Sequence, residues 1–244
     1  MKKTLTSLFI FTAMSTASIP SIAATFDIFQ MSVLINSSTL GMQSLEQTSI
    51  GVGASQFNAA GLSVVFTNNL GANNLGTVTW TVTNNTGRDI ANTRFFGFLD
   101  GDIDETLNTF FNETGSSNGL VLGNGSSDTL ADSWEIDEPG FRTGNIFANL
   151  LSGTLDNTNA VPTGTPNDVS MALGFDVGTF LAGQTLTAQF TISDQANGGL
   201  QHSDPASIYS VYYNGNVSLV PVPGALVLMF SGLAGLVSFY RRRQ

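Results

Sequence analysis

The chain of 244 residues has no cysteine, one histidine and, between residues 25 and 220, no lysine. Without cysteine there is no disulfide scaffold, no CxxC redox pair, no thiolate zinc site and no cysteine nucleophile. With His202 alone, a multi-histidine metal centre is excluded too. Charge is scarce: Asp, Glu, Lys and Arg make up 11% of the chain, against about 25% in ordinary soluble domains, so its polar surface must come from Ser, Thr, Asn and Gln. The charge that exists is segregated. Lys2, Lys3, Arg241, Arg242 and Arg243 sit at the two ends, while all 18 acidic residues lie between them with only Arg88, Arg94 and Arg142, a net of −15 over residues 25–220. Such a field repels phosphate backbones, which excludes nucleic acid as a partner.

The two ends explain their own charge. Lys2 and Lys3 precede the apolar stretch Leu5 to Met14, followed by Ser18, Pro20 and Ser21-Ile22-Ala23-Ala24. That order reads as a secretory signal peptide over residues 1–24, handed to the Sec translocon and cut after Ala23 or Ala24. A buried amphipathic helix would need polar positions that Leu8-Phe9-Ile10-Phe11 lacks. At the other end, the uncharged stretch Ala225 to Tyr240 precedes Arg241-Arg242-Arg243. Sixteen helical residues reach about 24 Å, slightly short of a ~30 Å hydrocarbon core, so flanking residues must help this segment act as a transmembrane helix. Arginines retained on the cytoplasmic side place residues 25–220 outside. Ser231, Gly232, Ala234 and Gly235 give the segment a small-residue patch suited to contact with another membrane helix.

Val220-Pro221-Val222-Pro223-Gly224-Ala225, the core Ser231-Gly232-Leu233-Ala234-Gly235-Leu236 and the terminal arginines together resemble the PEP-CTERM sorting signal in its VPLPA-type variant. The resemblance covers about 25 residues, 220–244. It implies recognition and processing by exosortase, a membrane protease-transpeptidase of Gram-negative bacteria that make exopolysaccharide. Val222 stands where the founding motif has Glu, which bears on the exosortase subtype. The parts fit physically, because each proline fixes φ and disfavours helix in the residue before it, giving an extended segment that a protease cleft accepts.

Residues 25–219 read as all-β, a sandwich of the immunoglobulin-like or jelly-roll kind. Leu62, Val64 and Phe66 alternate with polar neighbours, as do Val78, Trp80 and Val82, and Leu186, Ala188, Phe190 and Ile192, which predicts strands with one buried and one wetted face. Asn84-Asn85-Thr86-Gly87, Gly123-Asn124-Gly125 and Asn197-Gly198-Gly199 are turn signals, and Asn214-Gly215 predicts a tight hairpin between Ile208–Tyr213 and Val217–Val220. Phe26 to Leu45 is ambiguous between helix and strand. The run Thr77 to Gly87 followed by Ile90 to Phe96 resembles the strand-turn-strand of immunoglobulin-like surface repeats, with no second copy.

Chemistry concentrates in Asp100-Gly101-Asp102-Ile103-Asp104-Glu105, with Asn108, Asn112 and Glu113 close by. Alternating carboxylates can converge oxygen ligands on Ca²⁺, which takes six to eight of them. An EF-hand is rejected, since Glu105 replaces the required Gly and Phe111 occupies the place of the bidentate Glu. A loose calcium loop using Asp100, Asp102, Asp104 and Glu105 is one reading, and a solvated acidic turn is the other. Asp132, Glu135, Asp137 and Glu138 form a second acidic cluster that either completes the first or repels it. Paired carboxylates also suit glycoside hydrolysis, yet a region this acidic offers pairs by chance. His202-Ser203-Asp204 has the residue types of a hydrolytic triad, but three adjacent residues cannot take up triad geometry and fit a Ser-Asp-Pro turn. Trp134 is the candidate platform for a sugar ring, against the alternative of a half-buried sandwich tryptophan.

The expectation is therefore a non-enzymatic protein, exported across the inner membrane of a Gram-negative bacterium. It is anchored there transiently and ends at the cell surface or in an exopolysaccharide or biofilm matrix. The rival expectations are a carbohydrate-binding or carbohydrate-active module and a calcium-dependent adhesion protein.

Overall fold

A computed structural model describes residues 25–45, 53–103, 109–140, 142–220 and 231. The signal segment 1–24, Asp104, Glu105, the Pro221–Gly224 motif and the terminal arginines lie outside the described residues. Among the described residues no helix is long and apolar enough to cross a membrane.

Alternation fixes the strands. In β4 (Leu62–Leu70), Leu62, Val64, Phe66 and Asn68 point inward; in β5 (Gly76–Asn84), Val78, Trp80, Val82 and Asn84 do; in β10 (Thr185–Ser193), Leu186, Ala188, Phe190 and Ile192 do. The intervening threonines form a hydroxyl-lined outer face, with Thr83 Oγ1 and Thr185 Oγ1 3.1 Å apart across neighbouring strands. These strands belong to a seven-stranded antiparallel sheet ordered β3 (Gly53–Ala59), β4, β5, β10, β12 (Ser210–Val220), β11 (Leu200–Ser203), β7 (Thr114–Ser116). A second antiparallel sheet is ordered β2 (Gly41–Ser44), β1 (Phe26–Ser37), β6 (Ile90–Ile103), β9 (Ser170–Phe180), β8 (Ser133–Asp137). The ambiguous segment Phe26–Leu45 is thus mostly the β1–β2 hairpin. Among the described residues the fold is all-β, apart from helix α1 (Ile146–Ser152), a 3-10 turn at Gly125–Ser127 and the helical residue Ser231.

The two sheets share one apolar core, and Phe190 sits at its centre. Its ring stacks on Tyr213 at 5.5 Å and on Phe95 at 6.4 Å, and meets Trp80 and Phe175 edge-on at 5.8 and 6.0 Å. A Cβ on Gly97 in β6 would come within 2.3 Å of that ring, and one on Gly215 in β12 within 2.6 Å. The facing sheet can therefore close on Phe190 only where Gly97 leaves its backbone bare, and Gly215 gives the ring room beside the neighbouring strand of its own sheet. This corrects the hairpin expected at Asn214-Gly215: β12 runs unbroken through it, with Gly215 paired to Phe190. The glycine there serves close approach rather than a turn. The Asn84–Gly87 signal does turn the chain, between β5 and β6. The buried Asn84 amide donates to the carbonyls of Arg88 and Phe180 at 2.9 Å, and its Oδ1 accepts from Thr86.

The central strand β6 is buried almost continuously from Phe95 to Ile103. Phe95, Leu99 and Ile103 enter the shared core. Phe96 and Phe98 face the other way into a smaller core with Leu34, Ile146, Leu150, Leu155 and Ala172, covered by α1. Strand alternation puts Asp100 and Asp102 on the side of Phe96 and Phe98.

The tight fit around Phe190 predicts that Gly215→Ala destabilises the protein by about 1–3 kcal/mol through overpacking. A drop in thermal midpoint that Phe190→Leu partly reverses in the double variant is the expected result, and additive losses would contradict it.

Candidate functional site

Asp100 and Asp102 are not on a solvated turn. They lie in β6, 5% and 2% exposed, and three other segments converge on them. Glu113 comes from the residue before β7, Asp168 from the approach to β9, and His202 with Asp204 from β11 and the turn after it. All are buried, and Glu113 and His202 are wholly so. One carboxylate oxygen from each of Asp102, Glu113 and Asp168 lies within 4.8 Å of the others.

Backbone pairing holds this arrangement. Glu113 bridges Asn167, with the Asn167 N–H donating to the Glu113 carbonyl at 3.0 Å. The Val169 N–H donates to Glu113 Oε2 at 3.3 Å. Gly115 in β7 pairs with His202 in β11, bringing the histidine alongside. The Ser-Asp-Pro turn expected after His202 is present, with the Ala206 N–H donating to Asp204 Oδ1. His202 itself is the surprise: it is on a strand, with its ring against Phe26.

The cluster is short of donors. Both oxygens of Asp102, Oδ1 of Asp100 and of Asp168, and both ring nitrogens of His202 are buried and meet no amide, hydroxyl or cationic donor, and Asp102 and Glu113 are close enough to share a proton. His202 Nε2 is 2.8 Å from Glu113 Oε1, close enough for an ion pair but not aligned as a hydrogen bond. The body's arginines are engaged elsewhere. Arg88 is exposed, Arg94 donates to the Gly153 carbonyl and Ser133 Oγ, and Arg142 lies over the Phe111 ring at 3.9 Å.

Burial is the main force on these groups, because it penalises the charged form. It raises Asp100 to about 7, with repulsion from Asp168, Asp102 and Glu138 adding to it. Asp102 is raised to about 8 and Glu113 to about 9, each mainly by burial. Asp168 rises to about 6, again through burial and then the Glu138 charge. Burial lowers His202 to about 4 against the pull of Asp102, Asp168 and Asp204, so the imidazole is neutral at pH 7 and does not form an ion pair there.

The second acidic cluster divides. Asp132 accepts from the Gly125 and Asp176 N–H groups and braces the 3-10 turn. Glu135 accepts from Asn149 of α1 at 2.9 Å. Asp137 and Glu138 cap the following loop, accepting from the N–H groups of Asn145 and of Arg142, Thr143 and Gly144 respectively. These acids are matched by backbone donors, whereas the Asp102 group is not. Trp134 in β8 is partly buried against the shared core. No protein-family model, no curated protein and no solved structure matches the chain.

The sequence had placed Asp100, Asp102 and Glu113 in one acidic region, but not Asp168 or His202. Leu200, His202 and Asp204 alternate as a buried strand face would, which is the signal for the histidine. Asp168 is a lone acid with no motif around it.

In chelator, the sign of the pH dependence follows from the shifts. A carboxyl raised on folding stabilises the protein fully below its unfolded value near 4, and this is lost as pH rises through about 6 to 9. His202 acts oppositely, since the unfolded chain binds its proton below about 6.5 and the fold refuses it until about 4. Four carboxyls outweigh one imidazole. The thermal midpoint of the metal-stripped protein is therefore expected to fall from pH 5 to pH 9 by calorimetry, and a rise over that range would contradict the assignment.

Proposed function

We propose that the chain is an exported, non-enzymatic surface or extracellular-matrix protein, sorted and cut by exosortase at its C-terminal signal. The observation that carries this is the end of β12. That strand lies between β10 and β11 and stays paired to its last residue, with Val220 opposite Thr185. Val220 is also the first residue of the sorting motif, so the folded body runs into Pro221 with no spacer. Pro221 has no N–H with which to continue the ladder of β12. A body attached this closely crowds the bilayer until the tail is removed, which makes cleavage a functional step rather than trimming.

The remaining features favour the same reading. The body is a two-sheet sandwich of the immunoglobulin-like or jelly-roll kind whose chain crosses between sheets after β2, β5, β6, β7 and β9. Its hydroxyl-lined outer face suits a hydrated polysaccharide matrix, where charge would be screened and is not needed. A glycosidase pair must face a substrate cleft, whereas Asp102 and Glu113 are buried. The partly buried Trp134 favours a packing role over a sugar platform.

Co-expression with an exosortase, followed by intact-mass measurement of the exported protein, is expected to give an end near Pro223. Pro221→Ala with Pro223→Ala should leave the tail in place. A secreted chain still ending in Arg241-Arg242-Arg243-Gln244 overturns the reading.

A further inference from the structure

A buried carboxylate without donors is held by a proton, by a cationic side chain or by a metal ion. The second route is closed here, because residues 25–220 contain no lysine and Arg88, Arg94 and Arg142 are placed elsewhere. Geometry separates the other two. A protonated carboxyl needs one acceptor and gains nothing from a third acid. Three carboxylates from three segments, with oxygens within 4.8 Å of one another, leave room at their centre for an ion at the ~2.3–2.6 Å typical of Ca²⁺. A second observation points the same way. His202 is wholly buried, neither ring nitrogen is hydrogen-bonded, and Nε2 is 2.8 Å from Glu113 Oε1. This buried imidazole thus points an unpartnered nitrogen at a carboxylate of the cluster, where a modest turn of the ring would let it hold that carboxylate in a ligating position.

We propose that Asp102, Glu113 and Asp168 bind a hard divalent cation, Ca²⁺ foremost, at the end of β6, with His202 as a positioning residue for Glu113. The donor set is all oxygen, which suits Ca²⁺, Mg²⁺ or Mn²⁺ rather than zinc. Three carboxylates leave one negative charge uncompensated by the ion, and the remaining oxygens would come from water. The site shares Asp102 with the acidic run singled out in the sequence, but its other ligands lie 11 and 66 residues further along the chain. A groove of about 530 Å³ lined by Asp137, Glu138, Thr143, Asn145 and Asn167 lies beside it and gives a negatively charged approach for a cation. This site does not rest on the export reading, and an uncut tail leaves it intact.

The test uses the full chain in mild detergent, stripped with EGTA and EDTA, then titrated separately with CaCl₂, MgCl₂, MnCl₂ and ZnCl₂ by calorimetry and thermal melting. One Ca²⁺ per chain and a saturable rise of several degrees in the melting midpoint, reversed by EGTA, are expected; tighter Mn²⁺ or Mg²⁺ at the same stoichiometry also supports a hard-cation site. Asp168→Asn and Glu113→Gln should lose the Ca²⁺ response while melting no lower than the stripped wild type, because each removes a repelling charge. Their loss of response is thus distinguished from failure to fold. His202→Gln should keep the stoichiometry and weaken binding roughly 10–100-fold, as loss of a ligand-orienting group does. No heat and no shift with any of the four ions, tighter Zn²⁺ than Ca²⁺, or an undiminished Ca²⁺ response in Asp168→Asn would each overturn the proposal.

Discussion

The approach of two bare backbones to one aromatic ring sets the spacing of this protein. Phe190 fills the middle of the core, Gly97 lets β6 close on it from the facing sheet, and Gly215 leaves room for it beside β12 in its own. Aromatic pairs of this kind carry both buried area and orientation, so the ring also fixes how the sheets are rotated against each other. Everything beyond it along β6 follows from that closure. The strand is covered on one side by the shared core and on the other by α1, and its last residues continue into the same interior. Asp100 and Asp102 are buried because they belong to that strand.

Much of this was legible in the sequence where local and global signals agree. The alternating runs of β4, β5 and β10 place Val64, Trp80 and Phe190 inward as their spacing requires. The Asn84–Gly87 turn was legible because Asn at that place satisfies its own turn. The reading failed where one residue type serves two purposes. Asn-Gly favours a hairpin by local conformation, but at Asn214-Gly215 the demand comes from Phe190, 25 residues earlier in the chain. The same limit applies to the site. Asp-Gly-Asp-Ile-Asp suggests a loop by composition, yet β6 runs from Ile90 past Phe95-Phe96-Gly97-Phe98 and on to Ile103. The partners of Asp102 are set by the pairing of Glu113 with Asn167 and of Gly115 with His202, and such registers are tertiary facts with no local signature.

The two acidic groups show why position matters more than count. Asp132, Glu135, Asp137 and Glu138 are as crowded along the chain as the first run, but loop amides and Asn149 meet their oxygens. Even so, burial outweighs the Asn149 contact at Glu135 and raises it to about 7. The Asp102 group lies against strand ends whose amides are already used in the ladders, so its oxygens face one another. Its acids must be neutral or share a cation for the fold to close.

Replacing buried charges by apolar residues of similar volume is often neutral or stabilising, so the fold gains no stability from such a group standing alone. The proposed ion changes that balance by linking segments near residues 102, 113 and 168. Asp102 belongs to the sheet centred on β6, and Glu113 leads into the edge strand β7 of the other. A cross-link between distant residues restricts the unfolded chain in the way a disulfide does, and the restriction grows with the length of chain enclosed. A cysteine-free body has no covalent means of joining its sheets. The carboxylates at the end of β6 occupy the place where such a joint would act.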